Sequence, residues 1–419
     1  MKKTIRKLFF ASEFWVQFLF GLVICLVSLG QLQRIEVQPG VAVYIHELLI
    51  FGWIGLTFMT SPKFRRFVWD FWLNRSLVEK IFLIWIAVGL AFATIHHEAV
   101  VTALLFLLRL FMYFNFIVLL QFLITQKLLT RVIIFWAFFG LGMLFLYFGF
   151  LQYIFVPDTR FLFFLGWDDH YARLISTLFD PGFTGIILVL TFFLGQSVSF
   201  EQLEKVIHDL SKEHRRHFYV LKFVLSIACL VGILLTYSRA TYLAFLVGEG
   251  FAVFHFFRKK IKRELVFGLF YCIFLVAALP VLPRSGGEGV RLERTASVTA
   301  RTSDIRETIS SMKPLELITG KGIFVPIIVP PQIYGQPTHT HVTSNWFIFI
   351  LESTGFVGLV LFAIILAHYF FVFQKMQLWL FTSFLAILCH GLFNATLFYP
   401  FVVFYFGGMI VSLNRDSSL

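Results

Sequence analysis

Long apolar runs separated by short polar or basic breaks make up most of this chain. Twelve of the runs read as membrane spans, at approximately 14–30, 41–60, 77–95, 99–124, 132–155, 174–197, 218–236, 239–257, 264–282, 355–373, 376–394 and 396–413. A bilayer core about 30 Å thick takes about 20 apolar residues of helix. Backbone groups inside it must be satisfied within the segment, so each run is expected to be a helix. The expected fold is all-α, a polytopic integral membrane protein of about twelve transmembrane helices. Residues 1–282 hold spans one to nine. Residues 283–342 form a large extramembrane loop, and 343–419 an interfacial helix and the last three spans.

The loop has its own pattern. Ser285-Gly286-Gly287-Glu288-Gly289 is a flexible start. Residues 298–313 then read as an amphipathic helix with Ile305, Ile309 and Met312 on one face and Arg301, Asp304, Arg306 and Glu307 polar. Gly320-Lys321-Gly322 ends it, and Pro326, Pro330, Pro331 and Pro337 make the next stretch extended or turning. Ser344 to Leu351 is apolar but too short to span, and Glu352-Ser353-Thr354-Gly355 interrupts it before span ten. A short interfacial or re-entrant helix feeding a long one is expected there.

Composition narrows the class. Of 419 residues, 59% are hydrophobic and only 14% charged, against roughly 25% charged in soluble domains. The mean hydropathy of +0.84 excludes a soluble globular protein, a disordered chain and a nucleic-acid module. The four cysteines (Cys25, Cys229, Cys272, Cys389) lie in apolar runs and read as small core hydrophobes. The basic start, Met1 to Lys7, and the apolar stretch after it read as an uncleaved first helix.

Charge then orients the chain. With the N-terminus inside, 23 of the 35 Lys and Arg fall on cytoplasmic segments, and both termini are expected there. The other twelve are Arg34, Arg109, Arg160, Arg173, Arg239, Arg284, Arg291, Arg294, Arg301, Arg306, Lys313 and Lys321. Ten of them are Arg, the residue suited to bidentate phosphate binding. An Arg-rich outer face runs against the topological rule and points to an anionic ligand; a long loop that crosses regardless of charge is the plain alternative.

Several residues are candidates for chemistry. Thr236-Tyr237-Ser238-Arg239-Ala240-Thr241 joins spans seven and eight in a tight outer turn, so Arg239 is either a fixed phosphate clamp or a snorkelling side chain. Arg301 and Arg306 are five residues apart and not on one face. Arg109 is mid-span and needs a partner or a function; Asp180 and Glu249 are available. In Thr338-His339-Thr340-His341 an extended backbone would set His339 and His341 on one side. One of them suits a general base or hydrogen-bonding role near an acceptor hydroxyl. As a zinc signal HxH is weak, and no metal or cofactor is expected. Asp168-Asp169-His170 with Arg173 reads as an acidic turn before span six.

Four of these segments together resemble the O-antigen ligase and O-antigen polymerase superfamily. Thr236-Tyr237-Ser238-Arg239-Ala240 is similar to its "T-x-SRA" element. Arg301, the helix, Pro314 and Gly320-Lys321-Gly322 resemble its "R, helix, P, GxG" stretch. Asn345-Trp346 through Glu352, Gly355 and Gly358 resemble its "HN, apolar, E-x-G-x-x-G" ending, and Arg173, Thr177, Phe179, Asp180 and Pro181 its "R, TF, DPN" segment. The resemblance covers about 170–400. Ser344 stands where the family has its histidine, and Glu352 comes one residue early.

The resemblance implies a membrane glycosyltransferase at the outer face of the bacterial inner membrane, acting in polysaccharide or lipopolysaccharide biosynthesis. It would transfer a glycan from undecaprenyl pyrophosphate to an acceptor hydroxyl, on lipid A-core for a ligase or on another lipid-linked repeat for a polymerase. Arg239 and Arg301 would hold the pyrophosphate, with Arg173 and Arg306 as further binding candidates. His341 or His339 would act on the acceptor; Arg109, Asp180, Asn345 and Glu352 are secondary candidates. Expected partners are the lipid-linked glycan, the acceptor and membrane lipids, with no nucleic acid. The alternative is a lipid-linked glycan transporter, for which broken helices and repeat symmetry would speak; no repeat is found.

Overall fold

The computed structural model describes residues 13–38, 41–94, 100–200, 212–284, 287–322, 327–329, 339–341 and 343–414. Fifteen α-helices are described: α1 Glu13–Ser28, α2 Ile45–Thr60, α3 Pro62–Leu73, α4 Leu77–Ala93, α5 Val100–Thr125, α6 Arg131–Phe155, α7 Pro181–Gln196, α8 Lys212–Leu235, α9 Arg239–Lys259, α10 Lys262–Ala278, α11 Ala296–Ser311, α12 Pro314–Thr319, α13 Trp346–Met376, α14 Leu378–Gly391 and α15 Pro400–Leu413. Two antiparallel hairpins join them, β1 (Arg34–Gln38) with β2 (Val41–Tyr44) and β3 (Ile327–Val329) with β4 (His339–His341).

The chain is an all-α membrane protein. Six described helices are long and apolar enough to cross a bilayer, and five more are apolar and shorter. Three local expectations are corrected. Span two begins as strand β2, and its helix starts at Ile45. Span six starts at Pro181 rather than 174, because Asp180 caps a helix whose first residue is proline. The amphipathic helix α3 was not expected: Ser61 caps it, accepting the Phe64 amide at 3.2 Å, and Phe64 and Val68 bury its apolar side.

Helix α7 is the centre of the bundle. Its residues from Thr184 to Leu194 are buried on every side, and it packs against α6, α8, α9 and α14. Small residues permit the close approach that helix packing in lipid requires. A Cβ at Gly185 would strike the Thr241 side chain on α9, and one at Gly142 on α6 would strike Thr191.

Helix α13 carries the expected break inside one continuous element. Gly355 has φ 66° and ψ −173°, a conformation essentially reserved for glycine. The reason lies across the contact. A Cβ at Gly355 would run into the carbonyl of Ile318, and one at Gly320 (φ 82°) into the carbonyl of Ser353. The segment ending α12 and the kink of α13 therefore touch backbone to backbone. Lys321 locks them together: its amide donates to the Glu352 carbonyl at 2.7 Å and its ammonium to the Glu352 carboxylate at 3.2 Å.

Candidate functional site: an arginine cleft at one end of the bundle

The turn between α8 and α9 sets the first arginine. Tyr237 is buried with φ 50°, strained for a side-chain-bearing residue. Ser238 then caps α9, and Arg239 is its first helical residue. The Arg239 guanidinium donates to the carbonyls of Leu292 and Arg294, at 3.1 and 2.8 Å, tying the loop after α10 onto the turn.

Arg173 supports this turn from the bundle side. It is buried, and its guanidinium donates to the carbonyls of Thr236 (3.0 Å) and Tyr237 (3.4 Å). Burial, with Arg294 nearby, lowers its pKa to about 10, so it stays charged at neutral pH. The segment from Ala172 to α7, which carries Arg173, is itself strained: Ala172, Ser176 and Phe179 all have positive φ. Such strain persists where surrounding contacts over-determine the backbone.

Arg301 comes from α11. The inward stripe of this helix is not the expected apolar face. Thr308 and Met312 are buried and Arg301, Asp304 and Ile305 partly so, while Ile309 and Arg306 point to the exposed side. Arg301 is partly buried and, among the described residues, has no hydrogen-bonding partner. Burial first, then the positive charge of Arg239, holds its pKa below the ordinary value, and Asp180 opposes that shift. Arg301 thus lies within electrostatic reach of both Arg239 and Asp180, although the three come from separate elements. Arg306 is exposed.

Asp180 caps α7, its Oδ1 accepting the Phe183 amide at 2.7 Å. Burial raises its pKa, Asp168 adds to the rise, and Arg173 opposes it. The neighbouring acidic turn splits: Asp168 and Asp169 are exposed, whereas His170 is buried and its pKa falls to about 3, by burial and then the charges of Arg173 and Arg294.

The remaining candidates serve as braces. Asn345 caps α13, accepting the amides of Phe347 and Ile348, and its Nδ2 donates to the Leu392 carbonyl at 2.9 Å. Ser344 donates from N and Oγ to Asp304 Oδ2, at 3.3 and 3.2 Å. Glu352 is buried and receives Thr343 Oγ1 at 2.8 Å besides Lys321. His339 and His341 flank Thr340 in β4, and the assignment made for their side chains lies outside the described residues.

Arg109 has a different partner from those expected. Its Nε lies 2.5 Å from Glu47 Oε1, and its Nη2 donates to Glu47 Oε2 and to the Ala42 carbonyl. Tyr113 adds a hydrogen bond to Glu47 and one to His46. Neither Asp180 nor Glu249 is the partner; Glu47 follows the β hairpin and was masked by the apolar run around it.

His390 was missed by the sequence reading. It lies at the end of α14, fully buried, with Nδ1 2.6 Å from Thr396 Oγ1 and Nε2 3.3 Å from Asn394 Nδ2. The only sequence signal was a polar pair, His390 and Asn394, closing an otherwise apolar run.

The fold and the cleft define a polytopic membrane protein with a cationic site at one end of its bundle. Residues 224–363, which hold Arg239, α11, the glycine contact and the kink of α13, match the family model described as O-antigen ligase. The match supports the resemblance to the O-antigen ligase and polymerase superfamily. No curated protein and no solved structure matches the chain.

Proposed function

We propose that the chain transfers a glycan from undecaprenyl pyrophosphate to an acceptor hydroxyl, on lipid A-core or on another lipid-linked repeat. The reaction takes place at the outer face of the bacterial inner membrane. The chain crosses twelve times with both termini cytoplasmic, which puts the arginine cleft on the outer face. The observation that carries the reading is the Arg301 guanidinium, partly buried, without a hydrogen-bonding partner among the described residues and within electrostatic reach of Arg239. Two cations are kept together against their mutual repulsion, an arrangement that an anion spanning both relieves. Guanidinium pairs suit the oxygen pattern of a diphosphate.

The chemistry follows from that clamp. As the anomeric carbon–oxygen bond breaks, negative charge grows on the diphosphate. Fixed cations in a site shielded from water stabilise that charge without reorganising. Arg239 and Arg301 supply this, with Arg173 holding the turn and Arg306 outside the clamp. His341 or His339 acts on the acceptor side, and direct displacement inverts the anomeric centre. No metal is needed, and turnover in EDTA is expected to match turnover without it.

The test is to incubate purified protein with a lipid-pyrophosphate oligosaccharide, alone and with lipid A-core. A product ladder from donor alone identifies a polymerase, and a single shift requiring the second lipid identifies a ligase. No product in either case, with donor moving across vesicles, would overturn transfer in favour of transport.

A further inference from the structure

Three polar groups, Asp180 at the start of α7 and His390 and Asn394 at the end of α14 and in the turn after it, meet over Gly182, the second residue of α7. A Cβ placed there would lie 3.2 Å from Asp180 Oδ1, 3.5 Å from Asn394 Nδ2 and 3.8 Å from His390 Cε1. Glycine leaves this notch open, and it adjoins the carboxylate that lies within electrostatic reach of Arg301. Among the described residues Asp180 forms no ion pair with Arg301 or Arg173, so its charge is near both guanidiniums without being tied to either.

The hydrogen bonds behind the notch fix its donors. Asn394 Nδ2 is a donor, so His390 Nε2 accepts from it. The His390 proton is then on Nδ1, donated to Thr396 Oγ1, which in turn donates to the Asn394 carbonyl. This tautomer follows from the network. A buried imidazole with Nδ1 on Thr396 and Nε2 facing both Asn394 Nδ2 and Thr241 Oγ1 (3.4 Å) is a rigid support for the Asn394 amide.

We propose that Asp180 is the base that takes the proton of the acceptor hydroxyl, with Asn394, set by His390, positioning that hydroxyl over Gly182. The inference rests on the diphosphate clamp proposed above. In the step, the acceptor oxygen forms its bond to the anomeric carbon as the bond from that carbon to the diphosphate oxygen breaks. The bonding pair leaves with the diphosphate, whose charge Arg239 and Arg301 meet. The acceptor proton passes to Asp180 and is later lost to water. Burial, which raises the pKa of Asp180, makes its carboxylate a stronger base than an exposed aspartate. The charged or titratable groups facing it are Asp168 and Arg173 on the preceding loop, Arg301 on α11, His390 on α14 and Tyr399 before α15.

The test uses the full chain in nanodiscs with a lipid-pyrophosphate oligosaccharide and lipid A-core or a second donor molecule. Asparagine is a good helix cap, so Asp180→Asn keeps the start of α7. It is expected to bind undecaprenyl diphosphate at least as well as wild type while turnover falls by about 100-fold or more. Wild-type turnover should rise with pH on the acid side; Asp180→Asn should lack that limb, and Asp180→Glu should restore part of it. Asn394→Ala should raise the acceptor KM several-fold with diphosphate binding unchanged. Turnover of Asp180→Asn within about ten-fold of wild type, or an acid limb that survives in it, would overturn the inference. Diphosphate binding that ignores Arg239 and Arg301 would instead overturn the clamp on which it rests.

Discussion

Lys321 and Glu352 are joined twice, by an ion pair at 3.2 Å and by the Lys321 amide on the Glu352 carbonyl at 2.7 Å. The side-chain half of this lock is mostly buried, and breaking a buried pair leaves one charge unsatisfied. Glu352→Ala is therefore expected to destabilise the protein by about 3–5 kcal/mol, measured by thermal unfolding in detergent. A double-mutant cycle with Lys321→Met should recover part of that loss. If the two effects simply add, the pair is not coupled.

Gly355 and Gly320 face each other's backbone partners across the same contact. Either glycine changed to alanine adds a left-handed or glycine-only conformation, costing about 1–3 kcal/mol, besides a collision with a carbonyl. Gly355→Ala should lower the unfolding midpoint clearly more than Gly250→Ala, a helical site with open space around its Cβ position. Equal effects would contradict the contact.

Arg109 and Glu47 form a structural pair in the N-terminal helices. Arg109→Ala or Glu47→Ala alone should destabilise strongly, since each strands a charge in an apolar setting. Arg109→Met with Glu47→Met should regain stability and keep near wild-type turnover per folded molecule. A folded double variant without turnover would show that Arg109 contacts substrate.

His170 gives the fold a defined acid sensitivity. Its folded pKa, about 3, lies below the ordinary 6.5. The neutral ring is therefore favoured in the folded state. The stability it contributes is fully present above pH 6.5 and is lost as pH falls from there towards 3. His170→Gln should flatten the fall in unfolding midpoint between about pH 7 and about pH 5. An unchanged slope would place the sensitivity elsewhere.

These relationships also mark what the sequence could convey. Apolar runs located the helices, and the six residues from Thr236 to Thr241 were enough to expect a tight turn presenting Arg239. Gly355 announced the break in α13. The inward face of α11 was misread for a physical reason: the rule that apolar residues point inward assumes an apolar neighbour, and this helix lies over a polar cleft, so Arg301 and Asp304 turn in and Ile309 turns out. Glu47 and Arg109 are 62 residues apart, and Thr241 on α9, whose Oγ1 lies 3.4 Å from His390 Nε2, is 149 residues from it. No local pattern encodes contacts of that range.

The central claim is that Arg239 and Arg301 together hold a diphosphate. The most direct measurement is the affinity of the full chain for undecaprenyl diphosphate, compared with Arg239→Lys, Arg301→Lys and the double variant. Lysine keeps the charge and loses the two-pronged geometry. Each single variant is expected to bind about ten-fold more weakly, and the double variant more weakly still. Affinities equal to wild type in all three would contradict the account.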